Sequence, residues 1–529
     1  MSTASSTGTP SPTDAPPPTG GPSGANSSAP TSTPTLTNSH EHEGRRRFAL
    51  VWLAQLIAKT GNGLTPFALT IYAYQHTGLS TSVALITLAG FLPAVLLAPP
   101  AGVLADRFDR TRLMAIGNII CAVALGLVWA TMRMAADNMV LICLTLALVS
   151  VGAALLDPAY RAVITDLLPP ERYAKASGLV QLASAAQLIV APAVAGVLMA
   201  RSTILVVIAI DIAMTTVAAL LMVLIAMHAH PGQDSQRALI DGSQNTGVQE
   251  AGFQDAAQQG DAPEGAAQQG TGLESAAQED LAPQAATQHD GATASGSGLR
   301  DALEYLAGAR GVLALVGLAT LITFCMGFLQ TLLTPLMLDL TSEDTLGIIR
   351  SGAAVGMLVS SLIIGVVGMG THHRRFMAIF LTLGGILVAG IGMTTNVLAI
   401  GVLCAAFFMT LPPLNTSVEV LARCAIPNQA QGRVWGLIGF ISQMGYILAY
   451  AVSGILADHV FTPLLQPGGP LASSLGTIMG TGPSRGIGIM FALVGLALIA
   501  LAVAVPFIAP VARIEQALRL DLDHQRGRL

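Results

Sequence analysis

The chain has 529 residues, 52% of them hydrophobic and only 10% charged, with a formal net charge of −5. Soluble domains carry roughly 25% charged residues. The deficit, together with repeated uncharged runs of membrane length, sets aside an ordinary soluble enzyme and points to an all-α protein that crosses a membrane many times. There is no basic stripe for nucleic acid, and the five cysteines (121, 143, 325, 404, 424) are scattered on apolar stretches without metal-ligand or disulfide spacing.

Residues 1–44 are rich in Ser, Thr, Pro and Gly and lack both an apolar run and the hydrophobic core of a signal peptide, so a disordered N-terminal segment is expected. Arg45-Arg46-Arg47 then precede the first apolar run and predict a cytoplasmic N-terminus. Six spans are predicted near 48–76, 81–105, 112–133, 138–160, 172–200 and 203–228, making a first bundle over 45–228. In the first span, Gln55, Lys59 and Asn62 have i, i+4, i+7 spacing and share one helix face. Lys59 falls about twelve residues into the span, near the midplane at a rise of roughly 1.5 Å per residue. An ionised lysine there must face a cavity or an acid, and Asp157, Asp211 and Glu419 are the candidates. A static ion pair and a substrate or proton role both fit. Gly61 and Gly63 predict a locally loosened helix.

Between the second and third spans, residues 102–112 read GVLADRFDRTR. Five charges sit between two uncharged runs, which requires a tight loop at the water interface, and the arginines Arg107, Arg110 and Arg112 place it on the cytoplasmic side. The pattern Gly-x-x-x-Asp-Arg-x-x-Arg resembles the signature loop of the major facilitator superfamily. The wording GVLADRFDRTRLM is most similar to its drug-exporter branch, which includes macrolide-efflux and siderophore-export proteins. That resemblance implies twelve transmembrane helices in two six-helix halves that alternate access to a central site.

Residues 229–298 form a polar stretch in which Ala-Ala-Gln-Gln-Gly recurs. With ten acids against one arginine over 231–298, it carries the acidity of the chain and is expected to be a disordered cytoplasmic linker. A short leading helix over Leu299–Arg310 opens a second bundle, 299–509, with spans near 311–338, 345–369, 374–395, 397–421, 432–459 and 484–509. A basic cytoplasmic tail, 510–529, follows. This topology puts 20 of the 25 Lys and Arg residues on the cytoplasmic side, four outside (Arg133, Arg201, Arg350, Arg485) and Lys59 within a span, a bias that favours an even number of spans with both ends in the cytoplasm.

The halves are copies in sequence. Residues 102–116 align with 365–379 at an offset of 263, and a second register, offset 258, pairs Pro169 with Pro427, Lys175 with Arg433 and Gly196 with Gly454. In the first register Met369 replaces Asp106, so the charged loop is intact only once. Gly102 leaves room for a close helix approach. Asp106 opposes the negative end of its own helix dipole, and the resemblance supplies its partner: the N-terminus of the eleventh span near Gly432–Trp435, which would latch the halves on the cytoplasmic side. Arg110 is then expected to pair with Asp157 at the end of the fourth span. A role limited to setting topology is the alternative.

The resemblance also implies that spans one, four, seven and ten line the cavity, which adds Thr323, Gln330, Asn415 and Glu419 to Gln55, Lys59 and Asn62 as residues on the substrate or proton path. Relatives often carry Asp where this chain has Asn62. Pro158 beside Asp157 and Pro412-Pro413 beside Asn415 interrupt matching spans, either as simple kinks or as markers of the transport site. No phosphate loop, His-Glu-x-x-His or Gly-x-Ser-x-Gly motif occurs, so no enzyme activity, cofactor or metal is expected. The expected function is proton-coupled export of an amphiphilic small molecule by a monomer in the plasma membrane. An importer or lipid translocator of the same fold, or a scaffold acting through the acidic linker, are the alternatives.

Overall fold

A computed structural model describes residues 35–134, 138–169, 172–227, 306, 308–426 and 431–526. The N-terminal segment up to residue 34, the acidic linker and nearly all of the short leading helix lie outside them. Every regular element among the described residues is helical: α1 (Thr35–Thr77), α2 (Ser80–Arg107), α3 (Arg110–Met134), α4 (Met139–Leu167), α5 (Tyr173–Arg201), α6 (Ile204–Met227), α7 (Arg310–Leu338), α8 (Glu343–Val367), α9 (His373–Met393), α10 (Val397–Ala425), α11 (Gln431–Leu456), α12 (Pro483–Ala504) and α13 (Ala509–Arg526), with a few single turns between them. Helices α2 to α12 are the eleven that are long and apolar enough to cross a membrane. The polar residues Gln55, Lys59 and Asn62 lie in the middle of α1 and lower its hydropathy, although α1 runs unbroken through them.

Within the unit Gly44–Leu529, the two halves repeat one packing plan. Helix α3 lies against α4 and α6 as α9 lies against α10 and α12, and α2 packs on α4 as α8 packs on α10. The repeat reaches the caps. Asn138 accepts the Leu141 amide at 3.1 Å to start α4, and Asn396 accepts the Ala399 amide at 3.1 Å to start α10. Each side chain satisfies a first-turn donor that has no partner within its own helix, and the two asparagines are 258 residues apart, the offset of the second sequence register.

The halves meet along two seams, α2 against α11 and α5 against α8, and here the matched glycines acquire a reason. A Cβ on Gly454 of α11 would stand 2.5 Å from Thr81 Cα at the start of α2, and one on Gly196 of α5 would stand 2.5 Å from the Glu343 carbonyl at the start of α8. Both contacts lie at the end of the bundle away from the C-terminal helix. That end is called the opposite end below, and the other the terminal end.

Three boundaries differ from expectation. Helix α4 continues through Pro158 to Leu167, because neighbouring helices and side chains accommodate a proline in a packed membrane helix; Asp157 is therefore about 15 Å inside the helix end at 1.5 Å per residue. Helix α8 begins at Glu343, whose carboxylate and that of Asp344 favour a helix N-terminus; Arg350, expected outside, sits about 10 Å within the helix. The tail expected to be merely basic forms α13. Its Glu515, 4% exposed, accepts the Arg374 amide at 3.3 Å and pairs with Arg519 at 2.9 Å, tying α13 to the first turn of α9.

Candidate substrate cavity

Lys59 has one of the few arrangements open to a cation at that depth. Its Nζ donates to Asp157 Oδ1 at 2.7 Å, and the two groups share a cavity of about 210 Å3 between α1 and α4 with Gln55, Asn62, Ser150 and Gln187. The Lys59 side chain is 14% exposed and that of Asp157 60%, so the lysine is recessed and the carboxylate stands at the mouth. Deeper in, Gln55 is fully buried, and among the described residues neither its amide oxygen nor its amide nitrogen has a partner; Asn62 Oδ1 has none either. Such orphaned groups are uncommon because each loses its water without replacement. Gly61 and Gly63 do not loosen α1 as expected. A Cβ on Gly61 would lie 2.7 Å from Asp211 Oδ1, and one on Gly63 would lie 2.5 Å from Ala191 Cβ and 2.9 Å from the Gln187 carbonyl, so these glycines let α5 and α6 close on the cavity wall.

The other predicted residues are distributed differently. Asp211 is no partner of Lys59: it is fully buried and held by the Thr65 hydroxyl at 2.6 Å and the Thr215 hydroxyl at 3.2 Å. Arg110 binds Asp166 at 2.7 Å and the Ala162 carbonyl at 2.8 Å, not Asp157, because α4 extends far enough to bring Asp166 beside the loop. Asp106, Arg107 and Arg112 are exposed; Asp106 makes no hydrogen bond among the described residues, and Gly102 has open space where a Cβ would stand. The side chains of residues 431–433, where the expected contact with the start of α11 falls, lie outside the described residues. In the second half, Thr323 donates to the Ser442 carbonyl at 2.6 Å, Gln330 Oε1 accepts the Tyr450 hydroxyl at 2.7 Å, Asn415 is exposed, and Glu419 pairs with Arg423 on its own helix. None of these four lines the Lys59 cavity.

Sequence reasoning missed the groups that close the opposite end. Asp458, in a π-helical turn that continues α11, accepts the Ser80 amide at 3.0 Å, the Thr81 amide at 2.7 Å and the Thr81 hydroxyl at 2.6 Å. This is a carboxylate placed on the free donors and positive potential of the α2 N-terminus. Tyr74 donates to Asp339 at 2.7 Å, Gln75 donates to Glu343, and Phe91 makes edge-on contacts with Tyr446 and Tyr450. Outside the spans, loss of surrounding water pushes the Asp339 carboxyl up from its ordinary range, while the Tyr74 hydrogen bond and the Arg485 charge pull it back. Arg350 donates to the Gln330 carbonyl at 2.7 Å and lies 5.4 Å from the Phe67 ring centre, a cation–π distance. Apart from the Arg350–Gln330 bond, which lies within the second half, these contacts join the halves toward the opposite end. The sequence signal for Asp458 was an acid one turn before the end of an apolar run.

Known proteins carry the same design. A model of the Major Facilitator Superfamily matches residues 51–255, and macrolide efflux protein A of Streptococcus pyogenes is 24% identical over 424 residues, 78% of this chain and 90% of that protein. Residues 51–255 thus carry the pattern of that superfamily. Multidrug efflux pump Tap of Mycolicibacterium fortuitum matches this chain over 120 residues at 28% identity, 23% of this chain and 29% of the pump. Among solved structures, a bacterial homolog of the human lysosomal transporter Spinster, in an inward-facing and unoccupied conformation, aligns with a TM-score of 0.57 at 14% identity over 89% of this chain and 97% of that one. The nucleoside transporter NupG aligns at 0.58 and 12% identity over 87% and 98%. These likenesses establish the fold. The protein is a membrane transporter rather than an enzyme, and among the described residues no cluster of three His, Cys, Asp or Glu side chains is placed to hold a metal.

Proposed function

We propose that this transporter exports amphiphilic small molecules by alternating access, driven by inward proton flow, with α1 as the twelfth span, both termini in the cytoplasm and a monomer in the plasma membrane as the working unit. The observation that carries the reading is the pairing of one latched end with one buried charged cavity. The named bonds between the halves gather at the opposite end, while the Asp157 carboxylate at the cavity mouth stays exposed. On this reading the opposite end faces outside and the structure is inward-facing. The efflux names of the macrolide and multidrug relatives support the direction, and the arginine bias supports the orientation. Asp106 then has its role in the other state, where it would reach the start of α11 as Asp458 here reaches the start of α2. Lys59 and Asp157 supply a pair whose proton or substrate occupancy can differ between states.

The test is accumulation of a fluorescent amphiphile by sealed inside-out vesicles holding an acidic interior. Accumulation should collapse with a protonophore and fall at least tenfold in Lys59→Ala. Equal accumulation with and without the protonophore would remove proton coupling, and accumulation only in right-side-out vesicles would reverse the direction.

A further inference from the structure

We infer that the cavity between α1 and α4 takes the hydroxylated ammonium head of an amphiphile, its nitrogen on Asp157 and its hydroxyls on Gln55 and Asn62, while the apolar body stays outside the cavity; this rests on the transport reading and gives that site a substrate chemistry. Size is the first constraint. Pockets that enclose a whole drug-sized ligand occupy roughly 300–1,000 Å3, and this cavity of about 210 Å3 is smaller, so it accommodates a head group only.

Hydrogen-bonding capacity is the second. Gln55 is fully buried and offers an unpaired acceptor and an unpaired donor, and Asn62 offers an unpaired acceptor. A hydroxyl both donates and accepts, so it satisfies a carboxamide at either end, whereas a bare ammonium only donates and a carboxylate only accepts. Charge is the third. Asp157 is the one carboxylate on the cavity lining, it stands at the mouth, and only its Oδ1 is engaged by Lys59. A cation entering meets a negative group with an open oxygen. An anion meets that same group first, with Lys59 recessed behind it. Leu146 and Leu156 add apolar wall for the carbon side of the head.

The experiment uses the full chain in nanodiscs and three octyl probes below their micelle concentrations, with empty nanodiscs subtracted: N-octylglucamine (amine and hydroxyls), octylammonium (amine only) and octyl glucoside (hydroxyls only). N-octylglucamine should bind at least tenfold tighter than either of the others. Gln55→Leu should bring it down to the octylammonium level without changing octylammonium, and Asp157→Asn should bring it down to the octyl glucoside level. Should Gln55→Leu fail to fold, Asn62→Leu carries the same expectation. Affinities for the three probes within threefold of one another, or a Gln55→Leu variant that keeps the tenfold preference, would overturn the assignment. Gln55-dependent binding in nanodiscs without accumulation in vesicles would remove the transport reading and leave this one standing. Accumulation of amphiphiles with no head-group preference would do the reverse.

Discussion

Replacing Asp458 with Asn removes one formal charge and little volume from the seam between α11 and α2. The carboxylate accepts three bonds from the first turn of α2, at 3.0, 2.7 and 2.6 Å. A hydrogen bond to a charged group contributes about 1.5–3 kcal/mol, and an acid at a partly buried helix N-terminus adds up to about 2 kcal/mol. Asparagine keeps one accepting oxygen but turns its NH2 group toward amide donors, so a net loss of about 2–3 kcal/mol from the state closed at the opposite end is expected. At about 1.4 kcal/mol per tenfold, the ratio of the two end-closed states should shift roughly 30- to 140-fold toward opening of the opposite end. The readout is the distance distribution between spin labels at Ser202, after α5, and Gln466, after α11, in a background from which the cysteines are removed; both positions are exposed. Asp458→Asn should add a longer-distance population. A distribution identical to that of the parent protein would refute the reasoning, since it would mean that the carboxylate contributes equally to both states.

Asp106→Asn should reduce vesicle transport several-fold while leaving membrane insertion unchanged, and in the spin-label experiment it should favour the short distance, opposite in sign to Asp458→Asn. Gly454→Val places a side chain where even a Cβ would meet Thr81 Cα at 2.5 Å; at about 1–3 kcal/mol for overpacking it should widen the same distance and slow transport. Gln55→Leu should raise the thermal midpoint, because removing a buried amide without partners relieves about 1–3 kcal/mol; an unchanged or lower midpoint would mean that the amide has partners of its own.

The parts legible from sequence are those in which a residue has few physical options. A lysine in an apolar run needs a cavity or an acid, and Lys59 has both. The two registers located the copies, and they proved to be copies down to the Asn138 and Asn396 caps. The illegible parts depend on distant chain segments. Asp458 reads locally as a boundary marker; its role exists only because the start of α2, nearly four hundred positions earlier, lies against it. Arg350 was counted with the outside charges because the predicted span began at 345, whereas Glu343 starts the helix two turns before it. Asp157 was assigned to a helix end because the predicted span stopped at residue 160, whereas the helix runs on to Leu167, and this misplaced the partner of Arg110 by nine residues. Gly61 and Gly63 read as flexibility when alone in the chain and as contact surfaces once α5 and α6 are beside them.

The registers also bear on how the protein can favour one state over another. A transporter built from two identical halves would have identical seams, and its two end-closed states would differ only through their surroundings. Here three acids and one arginine lie where the copies diverge. Asp157 stands opposite Asn415, and Asp458 opposite Ala200, at the offset of 258; Asp106 stands opposite Met369, and Arg350 opposite Thr87, at 263. The glycine contacts, by contrast, are matched at Gly196 and Gly454. Matched glycines allow both seams to close tightly, so they set how closely the halves approach without choosing an end. An unmatched acid acts on one seam: Asp458 caps α2 at the opposite end, while Asp106 at the terminal end makes no hydrogen bond among the described residues. A ligand or proton shifts such an equilibrium only through a difference in its interaction with the two states. The divergent positions are where such differences reside, which places the control of direction in a handful of charges laid over a symmetric scaffold.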